Sequence, residues 1–397
     1  MNKLWEQSKT FPFYILYCLI FIAGMSFSVT GAIIPEIAKT FNLTSGEVSA
    51  LPQAQFFGGF LGLVVLGFLL SHASPRILLA FSMLIMAIGA LIIVLITRYS
   101  GLVLFIFFCI GMSMSIIFGL TGVIVSRASG ANSARNLNIH YSFMSAGVVL
   151  SPVLYGMLVS AGFSYRAMFM IISGLAFAAG TAAGIIPLPT VQLGEGYSVI
   201  TIKAFFREHI LFLLVILIMS LCYMGSESIP NNWIPKFLDD TFEGFPEFRS
   251  RLILSLFWAS VTVGRYICAA VLNYWKNPRG LLAILSLFAA ACLIIAPNMP
   301  GRTSAEVVLA ASGLFFSGII PIIFSFTEQL PERLAGIVFI LVLTVGMLGA
   351  SLASRGVGLV ADRFGFRPAI MLGAVPLIII VVLSSSGGGL FGRTQAG

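Results

Sequence analysis

Tyr223, Glu227 and Asn231 recur at i, i+4 and i+8 in the segment Cys222-Tyr223-Met224-Gly225-Ser226-Glu227-Ser228-Ile229-Pro230-Asn231-Asn232-Trp233. On a helix this spacing puts a phenol, a carboxylate and an amide on one face, and Trp233 adds an indole nearby. Aromatic faces stack against a solute while polar groups hydrogen-bond it, so the set suits a hydroxyl-rich ligand. Gly225 and Pro230 bracket the acid and weaken the backbone ladder there, which predicts a broken helix with carbonyls free to hold a cation. The competing reading is a polar contact between helices, with Glu227 paired to Arg265 as a structural or gating ion pair.

Other polar residues in apolar surroundings carry two readings each. Gln53 and Gln55 lie beside Pro52 and ahead of Phe56-Phe57-Gly58-Gly59, and they either line a cavity or join helices. His140, in Asn138-Ile139-His140-Tyr141-Ser142-Phe143, is either an interfacial residue or a proton carrier. The five cysteines are odd in number and have no CxxC partner, so they read as small buried hydrophobes and not as disulfides or metal ligands. No phosphate loop, HExxH, GxSxG or His/Cys/Asp cluster is present, so neither an enzyme nor a bound cofactor or metal is expected. Without a nucleotide site, uphill work by this chain must draw on an ion gradient, of protons or sodium.

These residues sit in a chain of 397 residues that is 59% hydrophobic and 9% charged. A soluble domain carries roughly 25% charged residues, which excludes a soluble enzyme, a secreted disulfide scaffold and a disordered protein. Unbroken apolar stretches of about twenty residues exclude a membrane β-barrel, whose strands alternate over about ten. The fold class is therefore an all-α membrane protein. Twelve spans are expected, near 11–34, 46–70, 76–97, 101–126, 136–160, 166–187, 210–234, 250–273, 279–296, 304–327, 334–360 and 366–385. The short basic N-terminus leads into the first span with no cleavage site, so that span is read as retained.

A longer central loop divides the spans into six plus six: an N-terminal bundle over 1–187, a linker over 188–209, a C-terminal bundle over 210–385 and a flexible tail over 386–397. A weak internal repeat supports the division. Ser74-Pro75-Arg76-Ile77-Leu78-Leu79 matches Asn277-Pro278-Arg279-Gly280-Leu281-Leu282. Ile116-Ile117-Phe118 matches Ile322-Ile323-Phe324, and Phe163-Ser164-Tyr165-Arg166-Ala167 resembles Phe364-Gly365-Phe366-Arg367-Pro368-Ala369. The three matches run in order at nearly constant offset. A parallel repeat of two six-helix halves is a transporter architecture with its site between the halves near the bilayer midplane. The net charge of +8 is spread one or two residues per loop, which fits lipid headgroups and topology signals and not nucleic acid. The expected setting is a multi-pass protein of the cell membrane, a bacterial inner membrane, with both termini cytoplasmic. The expected partners are a small-molecule solute and the lipid bilayer, and the chain is expected to be monomeric.

The residues resemble the major facilitator superfamily, in particular its fucose permease-like branch of sugar:cation symporters. The resemblance is carried by Gln53 with Phe56-Phe57, by Leu137-Asn138 through Phe143 with Ser145 and Gly147, by Cys222-Tyr223-x-Gly225 with Trp233, and by Gly264-Arg265. Its most specific piece is the tenth-span run Phe316-Ser317-Gly318-Ile319-Ile320-Pro321-Ile322-Ile323-Phe324-Ser325. The superfamily's loop between spans two and three is degraded here to Gly67–Arg76, while a cousin, Gly358–Arg367, survives between spans eleven and twelve. The resemblance implies alternating access, with spans one, four, seven and ten lining a cavity, and a sugar or polyol as solute. The reading of the residues and the resemblance together make Gln53, Gln55, Tyr223, Glu227, Asn231, Trp233 and Phe324 the expected solute contacts and Glu227, Arg265 and His140 the expected residues of ion coupling or gating. The branch carries embedded acids in spans one and four; around Gly31 and over Ser113–Gly119 this chain has none, so either coupling has moved to Glu227, or the chain is a uniporter, or its substrate is different. Two other readings compete: an exporter of amphipathic compounds or drugs, and a non-transporting membrane sensor or scaffold.

Overall fold

The computed structural model of the chain describes residues 13–69, 73–129, 132–186, 188, 207, 209–242, 244–327 and 332–386. The expected linker over 188–209 and the tail over 386–397 fall almost wholly outside these residues, as does part of the Gly67–Arg76 loop. Twelve helices are long and apolar enough to cross a membrane: α1 Tyr14–Phe41, α2 Ser45–Leu69, α3 Pro75–Leu95, α4 Gly101–Ser129, α5 Arg135–Ser160, α6 Tyr165–Ile185, α7 Ile210–Thr241, α8 Glu247–Tyr274, α9 Pro278–Asn298, α10 Arg302–Thr327, α11 Ile337–Phe364 and α12 Phe366–Ser385. We call the face at which α1 begins proximal and the opposite face distal.

Local chemistry starts corresponding helices in the same way. The Ser74 hydroxyl accepts from Ile77 N–H at 3.3 Å ahead of Pro75, and the Asn277 amide oxygen accepts from Gly280 N–H at 3.0 Å ahead of Pro278. Each is a helix cap followed by the proline that suits a first turn. Arg76 and Arg279 thus occupy equivalent proximal positions, as the repeat predicts.

Packing repeats as well. In the first half α1 packs on α5, α2 on α4 and α3 on α6; in the second, α7 packs on α11, α8 on α10 and α9 on α12. Missing side chains allow the closest of these approaches. Gly147 of α5 lies against the Phe21 carbonyl of α1, and Gly349 of α11 against the Leu221 carbonyl of α7. The halves meet where α5 packs on α8, α2 on α11 and α1 on α7.

Two expectations about the helices are corrected. α1 does not stop near residue 34 but continues through Pro35 to Phe41, so Glu36 lies within the first span. α7 is unbroken from Ile210 to Thr241 despite Pro230 and Pro235. The interruption falls in α10, between Arg302–Phe316 and Ile319–Thr327. Pro321 has no N–H to offer the Ser317 carbonyl, so the ladder lapses at Ser317-Gly318.

Candidate functional site

The approach of α1 to α7 fixes the centre of the molecule. Gly31 lies directly against the Asn231 carbonyl, and a β-carbon at that position would collide with it. That carbonyl is the one Pro235 leaves without a helical donor four residues on. From here side chains of both halves converge. The Asn231 amide oxygen accepts from Trp258 Nε1–H of α8 at 3.0 Å, and its nitrogen donates to Asn232, which donates to Ser354 of α11 at 3.0 Å. Trp258 meets Phe27 of α1 edge-on with ring centroids 5.5 Å apart, and Phe27 meets Phe56 of α2 in the same manner. One turn below Asn231, the Tyr223 hydroxyl donates to the Glu227 carboxylate. Glu227 is 9% exposed and Tyr223 1% exposed. The three polar residues therefore share one face, turned towards α8 and α10, where Tyr223 also lies 6.3 Å from the Phe316 ring.

The other sequence-predicted residues are placed differently. Trp233 is fully buried with its ring 5.8 Å from Phe366 of α12 and its Nε1 without a partner. Two residues past Asn231, it turns into the second half and away from the face carrying Glu227. Gln55 joins three helices: its oxygen accepts from Thr30 at 2.6 Å, and its nitrogen donates to the Ser26 carbonyl at 3.0 Å and faces Met114 sulfur at 4.0 Å. Gln53 is half-buried between the halves, and its carbonyl accepts from Ser351 of α11 at 3.0 Å. His140 is fully buried inside the first half, not interfacial. Its Nε2 lies 3.0 Å from the Thr121 hydroxyl, and the Tyr17 and Tyr141 rings flank it. Thr121 gives its one proton to the Ile117 carbonyl at 2.7 Å, so Nε2 of His140 is the donor and Nδ1 is left unpartnered. Phe324 stacks on Phe339 of α11 at 4.4 Å, towards the proximal end.

Arg265 and Glu227 form no ion pair. Arg265 instead donates from Nη1 to the Ser145 hydroxyl of α5, across the two halves, at 3.3 Å. Its Nε is buried without a partner. With Cys268, Ser317, Pro321 and Ser325 it lines a cavity of about 130 Å³ at the interruption of α10.

The distal ends hold a polar layer that composition and spacing did not single out. Both Glu36 oxygens accept from Tyr165 N–H, at 3.1 and 3.0 Å, and one also accepts from the Tyr155 hydroxyl. The Tyr155 ring lies 5.9 Å from the guanidinium of Arg251, a fully buried residue of the other half. Arg251 is held by Asp239 at 2.5 Å, and Arg302 and Arg249 both clasp Glu306, at 2.8 and 2.6 Å. Arg355 of α11 donates to the Gly46 carbonyl and to Ser49, while Asp362 accepts from Gly46 N–H at 2.8 Å. Tyr99 donates to the Glu47 carbonyl at 3.0 Å. Burial pushes its phenol up to about 12 against the pull of Arg355, and Glu47 adds to the rise, so it stays a donor at physiological pH. Beside this layer lies a cavity of about 980 Å³ lined by charges from both halves, among them Glu36, Lys39, Lys236, Asp240 and Glu247. Among the described residues, hydrogen bonds between the halves run from this layer inward to Ser145–Arg265, the most proximal of them. The halves are latched distally.

Comparison with known proteins places this architecture. No curated protein sequence matches the chain significantly. Its structure is similar to that of a bacterial homolog of the human lysosomal transporter Spinster, inward-facing and unoccupied, with a TM-score of 0.76 and 14% identity over 97% of this chain and 99% of that one. It is similar to the nucleoside transporter NupG, with a TM-score of 0.72 and 15% identity over 96% and 98% of the two chains. It is also similar to the E. coli fucose:proton symporter, with a TM-score of 0.65 and 17% identity over 94% and 98%. Residues 16–354 match the family model of the Major Facilitator Superfamily. The chain is a transporter of the major facilitator superfamily.

Proposed function

We propose that the protein is a secondary transporter that moves a small hydroxylated solute, a sugar or polyol, by alternating access driven by a proton or sodium gradient. The observation that carries this reading is the Glu227 carboxylate, deep in α7, whose one hydrogen-bond donor is the Tyr223 phenol. A charge placed there is costly unless it faces a cavity or a partner, and among the described residues no basic side chain forms an ion pair with it. Asn231 and Trp258 beside it supply an amide and an aromatic ring, the groups that bind a hydroxylated ring or chain. The distal latch fits one end state of an alternating-access cycle. In this reading the chain works as a monomer in a bacterial inner membrane with both termini cytoplasmic.

Coupling follows from the same carboxylate. If its proton affinity differs by one pKa unit between the two end states, proton and conformation are coupled by about 1.4 kcal/mol. The test is uptake of labelled sugars and polyols into proteoliposomes, with pH and sodium gradients imposed separately. Glu227→Gln is expected to keep solute exchange and to lose gradient-driven accumulation. A variant that concentrates solute like the parent removes Glu227 from coupling. A parent that ignores every hydroxylated solute but expels a hydrophobic cation is an exporter instead.

A further inference from the structure

Like Arg265, Arg166 has a buried Nε without a partner and bonds a neutral oxygen, the Ile96 carbonyl at 3.0 Å, but it sits at the distal start of α6, whereas Arg265 lies within α8. In the distal layer Arg251 rests on Asp239, Arg302 and Arg249 share Glu306, and Arg355 binds the Gly46 carbonyl. A guanidinium offers five N–H donors, yet Arg265 has one hydrogen bond, to the neutral hydroxyl of Ser145, and its buried Nε has none. The hydroxyls of Ser317 and Ser325 on the adjoining cavity wall already donate to their own helix, to Leu314 at 2.6 Å and Ile322 at 2.7 Å. Glu227, on the neighbouring helix of the same half, is held by Tyr223 and forms no ion pair with Arg265. The acid and the base form no ion pair, each rests on a neutral hydroxyl, and Arg265 lines a cavity of about 130 Å³, room for a carboxylate group.

The charge balance then constrains the cargo. With Glu227 ionised and the site empty, the two side chains sum to zero. With Glu227 protonated, one positive charge remains, and moving it through a low-dielectric closed state is costly. A bound monoanion restores neutrality. We propose, building on the transport reading above, that the solute carries one carboxylate, that Arg265 binds it, and that it travels with one proton on Glu227. The cargo class is a hydroxylated monocarboxylate, an aldonic or glyceric type of acid, and its transport is electroneutral. The charged or titratable groups facing Glu227 are Tyr223 on α7 and Arg265 on α8. The helices packed against α7 carry theirs in the distal layer: Glu36 on α1, Arg302 and Glu306 on α10, Arg355 and Asp362 on α11, and Arg367 at the distal start of α12.

The full chain in proteoliposomes tests this with two matched pairs of probes, gluconate against sorbitol and glycerate against glycerol. The expected result is accumulation of the acids under an imposed pH gradient, with no response to a potassium–valinomycin membrane potential. Loss of a charged hydrogen-bond partner is expected to cut acid uptake by Arg265→Gln about tenfold or more, with partial recovery in Arg265→Lys. The parent protein in detergent should be thermally stabilised by gluconate and not by sorbitol, a readout independent of how the variants fold. Transport of the polyols with the acids ignored overturns the inference and leaves the transport reading standing. Transport of none of the four overturns the inference, and the transport reading then stands or falls on the labelled sugars of the uptake test above. Acid uptake unchanged in Arg265→Gln, or uptake that follows the membrane potential, overturns the role of Arg265 or the single proton.

Discussion

Gln55 and Tyr223 separate adhesion between helices from solute binding. Both ends of the Gln55 amide bond the neighbouring α1, at Thr30 and Ser26, and such bonds in membranes contribute about 1 kcal/mol. Gln55→Leu should therefore lower unfolding stability by about 1 kcal/mol and leave KM unchanged; a raised KM with no loss of stability would return Gln55 to the solute path. Tyr223→Phe should reach uptake as well. It removes the one donor to Glu227, a charged hydrogen bond of about 1.5–3 kcal/mol, so uptake should fall along with stability, and a loss of stability at unchanged uptake would make Tyr223 purely structural. The sequence made the Tyr223, Glu227, Asn231 face legible because helical spacing is a local property. It misled on the tryptophan. Trp233 is two residues from Asn231 in the chain, but helical rotation turns it into α12, while Trp258, 27 residues away, completes the site. Partners brought in by another helix leave no periodicity to read. Glu36 was missed for a different reason: Pro35 looked like the end of the first span, yet the helix runs on through it.

Proline also decides where helices break, and its sequence position alone did not tell which would. In α7, Pro230 and Pro235 remove two backbone donors, but the helix stays continuous under dense packing. Ser228 caps the Gly225 carbonyl at 2.7 Å, Ser226 reaches Gly373 at 2.8 Å, and the freed Asn231 carbonyl rests against Gly31. In α10, Ser317 turns its hydroxyl back to Leu314, and the two-residue interruption persists. Pro321→Ala restores a donor for the Ser317 carbonyl and should stabilise α10 by about 1–3 kcal/mol. Straightening α10 should also reshape the cavity beside Arg265, so uptake is expected to slow as the melting temperature rises. A faster transporter, or one with unchanged melting, would mean that the interruption has another cause.

At the scale of the whole molecule, the two-half architecture was legible because a capping residue followed by proline, Ser74-Pro75 and Asn277-Pro278, recurs where the chain re-enters the membrane. How the halves touch was not legible, since it depends on carbonyls, glycines and charges that meet only after folding. Those contacts concentrate in the distal half. Arg355 ties α11 to the first turn of α2, Asp362 binds the same turn at Gly46, and Gly31 lets α1 close on the Asn231 carbonyl. Each is within reach of a single substitution. A methyl group at Gly31 collides with backbone, which cannot rotate away as a side chain could, so Gly31→Ala wedges α1 from α7 while barely touching either half's own packing. Arg355→Ala removes two bonds of the latch. Both should shift the population towards a distally open state. Spin labels at Thr40→Cys and Phe245→Cys, on opposite halves beside the distal cavity, would report the shift as longer distances in pulsed electron resonance. Gly31→Ala should show the larger effect, because the wedge acts against closure itself and the latch only against opening. Distances identical to the parent in both variants would mean that these contacts follow closure without holding it.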